Sequence, residues 1–396
     1  MAALKLPHAD GRLEAFALSS PTTWRARSQR PQWNRVAFAA AHVVAAPLAP
    51  IDPWLDTAID WDATLQYRRY LWSLGFGVAE AMDTAQRGMG LDWSTSLALI
   101  KRTVAEAADV AGAVVFSGAG TDHLAPDPDA PLDRIIGAYE EQCAAIEGMG
   151  GRIILMASRA LATCAKSPDD YAYVYARVLS QVRAPVILHW LGEMFDPALA
   201  GYWVGQRCDD ADHGGAIEVC AGVIRENAAK IDGIKISLLD ADKEIALRRR
   251  LPAGVRMYTG DDFNFAALIG GDASGHSDAL LGIFDAIAPA ASAALTALAD
   301  GDRASFDRIL APTVPLSRHV FAPPTRFYKT GVVFLAWLNG HQSHFTMVGG
   351  QQSSRSIVHL AELFRLADAA GLLRDPDLAT SRMRTLLALH GVDAGQ

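Results

Sequence analysis

Gly233-Ile-Lys-Ile-Ser-Leu238 (GIKISL) is the stretch on which the reading of this chain turns. It is short, largely apolar and closed off by Asp240, with Asp232 and Gly233 at its start. A run of this length without clean apolar/polar alternation fits a strand covered on both faces. If Ile234 and Ile236 face covering helices, Lys235 points into the enclosed side of a barrel. Desolvation opposes the charge there and lowers the amine's pKa towards neutrality. A neutral amine can attack a carbonyl and form a Schiff base. The competing reading is a structural lysine paired with an inward acid such as Asp262 or Glu80. Composition sharpens the point, because only seven of the 36 basic residues are lysines and 29 are arginines. Lysine is among the residues least often buried without a reason.

The same kind of run recurs along the chain. Seven further strands are predicted: Arg35–Pro47 (with a hairpin before strand one), Gly77–Asp83, Gly112–Ser117, Arg152–Ala157, Pro185–Trp190, Val255–Gly260 and Ala279–Phe284. Helical spacing fills the gaps. Leu97, Ile100 and Val104 follow Ser94 and Thr95 as candidate N-caps, and Ile135, Ile136, Tyr139 and Cys143 form a second stripe. Tyr171–Val182 and Ala216–Ala229 cover two more gaps. Eight βα units in about 260 residues predict an α/β protein, a (β/α)8 TIM barrel. A doubly wound sheet is the alternative, since periodicity does not show closure; no G-x-G-x-x-G follows any strand. After residue 286 only helical patterns remain, including Ala290–Ala299, Asp302–Leu310, Tyr328–Asn339, Ser353–Ala370 and Leu378–His390. The expected organisation is an N-terminal segment 1–30, a barrel 31–290 and a C-terminal helical extension 291–396.

With 396 residues and 51% hydrophobic content, the chain has ample material for a large core. A net charge of −8 disfavours a nucleic-acid partner. Cys143, Cys164, Cys208 and Cys220 form no C-x-x-C, so reduced thiols are expected and neither a zinc ribbon nor a disulfide framework. Charges and Pro7 interrupt the first 20 residues where a signal peptide needs an apolar core, and no apolar run approaches the roughly 20 residues of a membrane span. A cytoplasmic protein with no membrane partner is expected.

In such barrels chemistry gathers at the C-terminal strand ends. Those ends supply Asp83, Thr84 and Arg87 after strand two, and Thr121, Asp122 and His123 after strand three. Strands four and five add Ser158, Arg159, His189 and Glu193. Strands six and seven add Lys235, Ser237 and Asp262, while His276 to Asp278 precede strand eight. Several have plainer readings: His189 as a satisfied core histidine, Asp262 as a helix cap, Gly275–Asp278 as a turn, and Trp190 and Phe195 as packing. His341 and His344 in the tail read as surface or interface residues. A mixed metal site from Asp83, His189, Glu193, Asp262 and His276 is the main chemical alternative, but no H-x-H or H-E-x-x-H fixes the spacing and Lys235 is left unexplained.

Ile231–Ser237 (IDGIKIS), Tyr258–Asp262 (YTGDD) and Gly282–Pro289 (GIFDAIAP) resemble the last three strands of the dihydrodipicolinate synthase / N-acetylneuraminate lyase superfamily. Ala184–Leu188 (APVIL) resembles its fifth strand. The resemblance covers about residues 35–300 and more loosely the tail, and is closest to an uncharacterised bacterial family described only as dihydrodipicolinate synthase-like. It implies a class I lyase or aldolase barrel with Lys235 as the Schiff-base former, assembled as a homodimer or homotetramer. Two departures stand out. His189 replaces the tyrosine that relays protons in the family, and histidine can also move protons near neutral pH. Met82-Asp83-Thr84-Ala85-Gln86 replaces a GTTGE-like loop whose threonine pair holds a pyruvate carboxylate. An aspartate repels such a carboxylate, with Arg87 and Arg159 as candidates to offset it. Asp83, Asp122, Asp262 and Asp278 suit sugar hydroxyls.

The expectation is a lyase, aldolase or dehydratase of carbohydrate metabolism acting on a keto-sugar or keto-acid carbonyl. Lys235 and His189 are catalytic, and Asp83, Thr84, Arg87, Ser158, Ser237, Asp262 and His276 bind the small-molecule substrate. Neither metal nor other cofactor is called for. The alternatives are a metal-dependent sugar isomerase, epimerase or class II aldolase, and a non-catalytic metabolite-binding regulatory barrel.

Overall fold

A computed structural model describes residues 4–19, 24, 31–205 and 213–392; Cys208 lies outside them. Contacts divide the chain into two compact units, residues 35–41 with 77–282, and residues 1–34 with 42–76 and 283–396.

The first unit holds a closed barrel of eight parallel strands. After an N-terminal pair, β1 (Leu4–Pro7) and β2 (Leu13–Phe16), that belongs to the other unit, the barrel strands are β3 (Ala37–Ala40), β4 (Gly77–Glu80), β5 (Val115–Ala119), β6 (Arg152–Met156), β7 (Val186–Leu191), β8 (Ile231–Ser237), β9 (Arg256–Thr259) and β10 (Asp278–Leu281). They pair in chain order, and β10 closes on β3 through Ala279–Ala37 and Leu281–Ala39. Closure settles the choice against a doubly wound sheet. Alternate residues fill the interior: Phe38, Phe116, Ile154, Ile187, Tyr258 and Leu280 form one buried cluster. Phe38 meets Phe116 and Tyr258 edge-on at 5.3 and 6.0 Å. Gly233 belongs to this layer because a Cβ there would lie 2.6 Å from the Tyr258 ring.

Charged residues seal the N-terminal end of the barrel. Tyr258 Oη donates to Asp232 at 2.6 Å, Arg256 reaches the same carboxylate at 3.1 Å, and the Arg152 guanidinium lies 4.2 Å over the Phe116 ring. Asp278 sits at this end too, accepting from the Val36 N–H at 2.7 Å. The opposite, C-terminal end is left for chemistry.

Helices α2 (Trp93–Ala108), α3 (Leu132–Gly148), α4 (Arg159–Cys164), α5 (Pro168–Gln181), α6 (Gly214–Glu226), α7 (Ala241–Arg248) and α8 (Phe265–Gly270) belong to the same unit. Asp92, rather than Ser94 or Thr95, caps α2 by accepting from the Thr95 N–H at 2.8 Å. The N-cap side chain must precede the first helical residue, and here that residue is Trp93. The first barrel strand is also shorter than expected, and the last ends at Leu281.

The second unit contains the antiparallel β1–β2 pair, with Leu4 opposite Phe16, and helix α1 (Trp61–Ser73). Its other helices are α9 (Ile283–Ala286), α10 (Ala288–Ala299), α11 (Arg303–Leu310), α12 (Thr313–Val320), α13 (Tyr328–Leu338), α14 (Ile357–Ala369) and α15 (Pro376–Leu389). Every residue of α13 is buried, which explains why its sequence is apolar on all sides. Among the described residues no helix is long and apolar enough to cross a membrane.

Candidate active site

The alternation of β8 decides where its lysine goes. Ile234 and Ile236 are buried, as are Gly233, Lys235 and Ser237 on the other side of the strand, towards the barrel axis. Lys235 is only 7% exposed. Among the described residues its amine forms no hydrogen bond and no ion pair. Burial lowers its pKa below 10.5, while the Asp83 and Asp262 carboxylates pull it back up.

His189 on β7 stands opposite Lys235 in register. It is 1% exposed, and neither ring nitrogen has a hydrogen-bond partner. Burial, then the Lys235 charge, hold its pKa well below 6.5, so the ring is a neutral imidazole at neutral pH. One of its nitrogens can therefore accept a hydrogen bond and the other donate one. A cleft of about 90 Å3 opens beside it, with Asp83, Thr121, Asp122, Arg159, His189 and Leu191 in its walls.

Local folding fixes the rest. Asp83 starts the single 3-10 turn Asp83–Ala85 directly after β4, which turns its carboxylate to the cleft wall. Thr84 is buried in that turn and is not among the cleft residues. Arg87 is buried, and its guanidinium is fully employed within the protein. It clasps Asp122 at 2.6 and 3.1 Å, donates to the Gly118 and Ala81 carbonyls and to Gln142, and lies 5.1 Å from the Trp93 ring. Asp122 is correspondingly acidic: burial opposes its charge, but Arg87 and Gln142 outweigh that and lower its pKa. Arg159 is tied through Nε to Asp196. Ser158 caps α4, accepting from the Leu161 N–H at 2.9 Å, and its hydroxyl lies 2.6 Å from that of Thr121.

Ser237 is buried beside Gly260, the residue before the two aspartates. A Cβ at Gly260 would come within 2.3 Å of Ser237 Oγ and 2.8 Å of Lys235 Cε, so the missing side chain is the space the lysine stem occupies. Asp262 does not cap the helix that follows, whose N-cap is Asn264 without a side-chain cap; Asp261 instead fixes the turn before it, accepting from the N–H groups of Phe263 and Asn264 at 2.9 and 3.0 Å. Asp262 is buried and acts on the lysine charge.

The structure thus brings Asp83, His189, Lys235 and Asp262 together. It does not bring His276 to them. That residue is exposed and precedes β10, at the sealed end of the barrel, because a residue before a parallel strand lies at the opposite end from one after it. Arg87 lines the cleft with its donors spent on Asp122, Gln142 and backbone carbonyls, and Ser158 is engaged with the Leu161 N–H and Thr121. Among the described residues no group of three histidine, cysteine, aspartate or glutamate side chains is arranged to hold a metal ion. Gln142, which holds Arg87, is not among the residues that the strand ends point to. Gln142 had a visible signal, as a polar residue on the buried stripe Ile135, Tyr139, Gln142 and Ile146.

A family described as "Protein of unknown function (DUF993)" matches residues 4–392. The chain belongs to this family. No curated protein matches the sequence. Among solved structures, dihydrodipicolinate synthase from Aquifex aeolicus is similar with a TM-score of 0.64 at 13% identity, covering 86% of this chain and 99% of that one. The Oceanobacillus iheyensis dihydrodipicolinate synthase gives 0.60 at 14%, covering 85% and 96%. YagE, an Escherichia coli K12 prophage protein of the dihydrodipicolinic acid synthase family solved with pyruvate, gives 0.61 at 14%, covering 91% and 99%. At these identities the likeness is one of fold, and the fold is that of the expected superfamily.

Proposed function

We propose that this DUF993 protein is a Schiff-base lyase, aldolase or dehydratase acting on the carbonyl of a keto-sugar or keto-acid through Lys235. One observation carries the reading: a buried, unpaired lysine of lowered basicity stands in register with a histidine whose two nitrogens are unsatisfied beside a cleft. The neutral amine attacks the carbonyl carbon. The oxygen leaves as water with both amine protons, and a proton taken up from solvent makes the imine a cation that draws electrons from the neighbouring carbon. Neutral His189 removes a proton from that carbon, or from a hydroxyl one carbon further on when a carbon–carbon bond breaks, and returns it to the product. Ser237 and Asp262 would orient the substrate. The likeness in fold to dihydrodipicolinate synthases supports the same class of chemistry.

The test is capture of the imine. The protein is incubated with a panel of keto-acids and keto-sugars, reduced with borohydride and weighed intact. A single adduct on the wild type that is absent from Lys235→Ala is expected. No adduct, or one undiminished in that variant, overturns the reading. Capture without turnover would leave a regulatory metabolite-binding barrel. A homodimer or homotetramer is proposed with it, to be read by light scattering. The buried free thiols of Cys143, Cys164 and Cys220 suit a reducing compartment such as the cytoplasm.

A further inference from the structure

We infer that this site selects against 2-oxo acids and takes a neutral carbonyl compound with a hydroxyl on the adjacent carbon, and that Asp83 makes the selection. The inference rests on Lys235 forming the Schiff base and concerns what may stand next to the reacting carbon.

The charges around the amine carry the argument. Arg87 is the cation closest in sequence to Asp83, yet its donors go to Asp122, Gln142 and two backbone carbonyls. Its charge is matched by Asp122. Arg159, the other cation in the cleft wall, is matched by Asp196. What remains is Lys235 with the Asp83 and Asp262 carboxylates acting on it. Once the amine is neutral and ready to attack, the Asp83 carboxylate has no hydrogen bond or ion pair among the described residues to offset its charge, and it shares the cleft wall with His189, the register partner of Lys235. A substrate carboxylate bonded to the attacked carbon would enter next to that charge in a largely water-excluded site, where like charges repel far more strongly than in water. A hydroxymethyl group in the same place donates a hydrogen bond instead. The Asp83 carboxylate forms no hydrogen bond or ion pair among the described residues and Asp83 lines the cleft, so its acceptor oxygens are available for that donor. The imidazole of His189 supplies a second partner.

Hydroxyacetone and pyruvate test this cleanly, since a hydroxymethyl group in one stands where the other has its carboxylate. Each is titrated against the protein with borohydride, and the amine–carbon bond is scored by mass at Lys235. Lys235 attacks, the carbonyl oxygen leaves as water with both amine protons, solvent supplies the proton that makes the imine an iminium, and borohydride delivers hydride to its carbon to give a stable secondary amine. Capture of each ketone by N-α-acetyl-lysine under the same conditions corrects for their different intrinsic reactivity. After that correction, the wild type should be half-labelled by hydroxyacetone at a concentration at least tenfold below that of pyruvate. Asp83→Asn should shrink that ratio at least fivefold, mainly by improving capture of pyruvate. The ratio is read because removing the Asp83 charge also makes Lys235 less basic, which changes both reactions together. Asp262→Asn serves as the second variant should Asp83→Asn fail to fold, with circular dichroism as the check on each. Pyruvate capturing the wild type as readily as hydroxyacetone overturns the selection while leaving Schiff-base chemistry standing. An unchanged ratio in both folded variants removes the carboxylates as its cause. Labelling by neither ketone removes the Schiff-base reading, and the inference falls with it.

Discussion

Lys235 has a reactivity set by opposing neighbours rather than by its own chemistry. Burial removes the water that stabilises its charge, and Asp83 and Asp262 restore part of that stabilisation. The rate of imine capture should therefore rise with pH along a limb whose midpoint lies below 10.5. The sign for a variant follows directly. Asp262→Asn removes a negative charge that favours the ammonium, so the limb should move to lower pH. Cyanoborohydride capture of a fixed aldehyde, scored by peptide mass between pH 6 and pH 10, reads the midpoint. A limb that stays put, or moves up, would mean Asp262 does not act on this amine. At this scale the sequence was informative where one residue broke a strong pattern. Lys235 and His189 each end or interrupt an apolar run, so both were visible. Arg87 was visible but its clasp was not, because its partners Asp122 and Gln142 lie 35 and 55 residues away and no local pattern announces them.

Elements were more legible than their ends. All eight barrel strands follow from short apolar runs separated by helical stripes, because burial on both faces leaves a signature few other structures share. Boundaries depended on single side chains, as with Asp92 capping α2. What ties one element to the next was not legible. Glu244 on α7 is buried and bridges Thr259 Oγ1 on β9 at 2.9 Å and Ser277 Oγ at 2.7 Å. Burial raises its pKa to about 8 from 4.5, with the two hydroxyls opposing the shift. The folded state then holds a proton that the unfolded chain releases. Stability from this group is complete below about 4.5 and is lost as pH rises through about 8, a change of about 3–5 kcal/mol. Glu244→Gln keeps a neutral hydrogen-bonding group in place and should flatten that decline. Urea midpoints measured at pH 5 and pH 9 should fall steeply for wild type and little for the variant. Equal declines in the two proteins would show that Glu244 does not carry the proton.

For the whole molecule, composition set the class but not the partition. The expected cut near residue 290 keeps residues 42–76 with the barrel, whereas contacts group them with residues 283–396. The reason is a pairing of distant residues that periodicity does not encode. His42 Nδ1 lies 2.8 Å from the Asp285 carboxylate, the His42 N–H donates to the same group at 2.8 Å, and Tyr67 Oη donates to it at 3.1 Å. The Tyr67 ring in turn packs 4.4 Å from His42 and 5.0 Å from His341. All three residues are buried; the His42 N–H and imidazole both turn to this carboxylate, while Tyr67 Oη shares itself between it and the Asp285 backbone carbonyl at 2.7 Å. Asp285→Ala would strand the His42 N–H, its imidazole and part of the Tyr67 hydroxyl's bonding at once, at a cost of about 3–5 kcal/mol. Asp285→Asn should cost less, since its amide oxygen can still accept. The knot joins segments 218 and 243 residues apart, so its loss should also be non-local. Hydrogen exchange should quicken in both α1 and α9, and urea midpoints should fall in the order wild type, Asp285→Asn, Asp285→Ala. If Asp285→Ala unfolded at the wild-type midpoint but failed to turn over substrate, the knot would belong to the chemistry rather than to the scaffold.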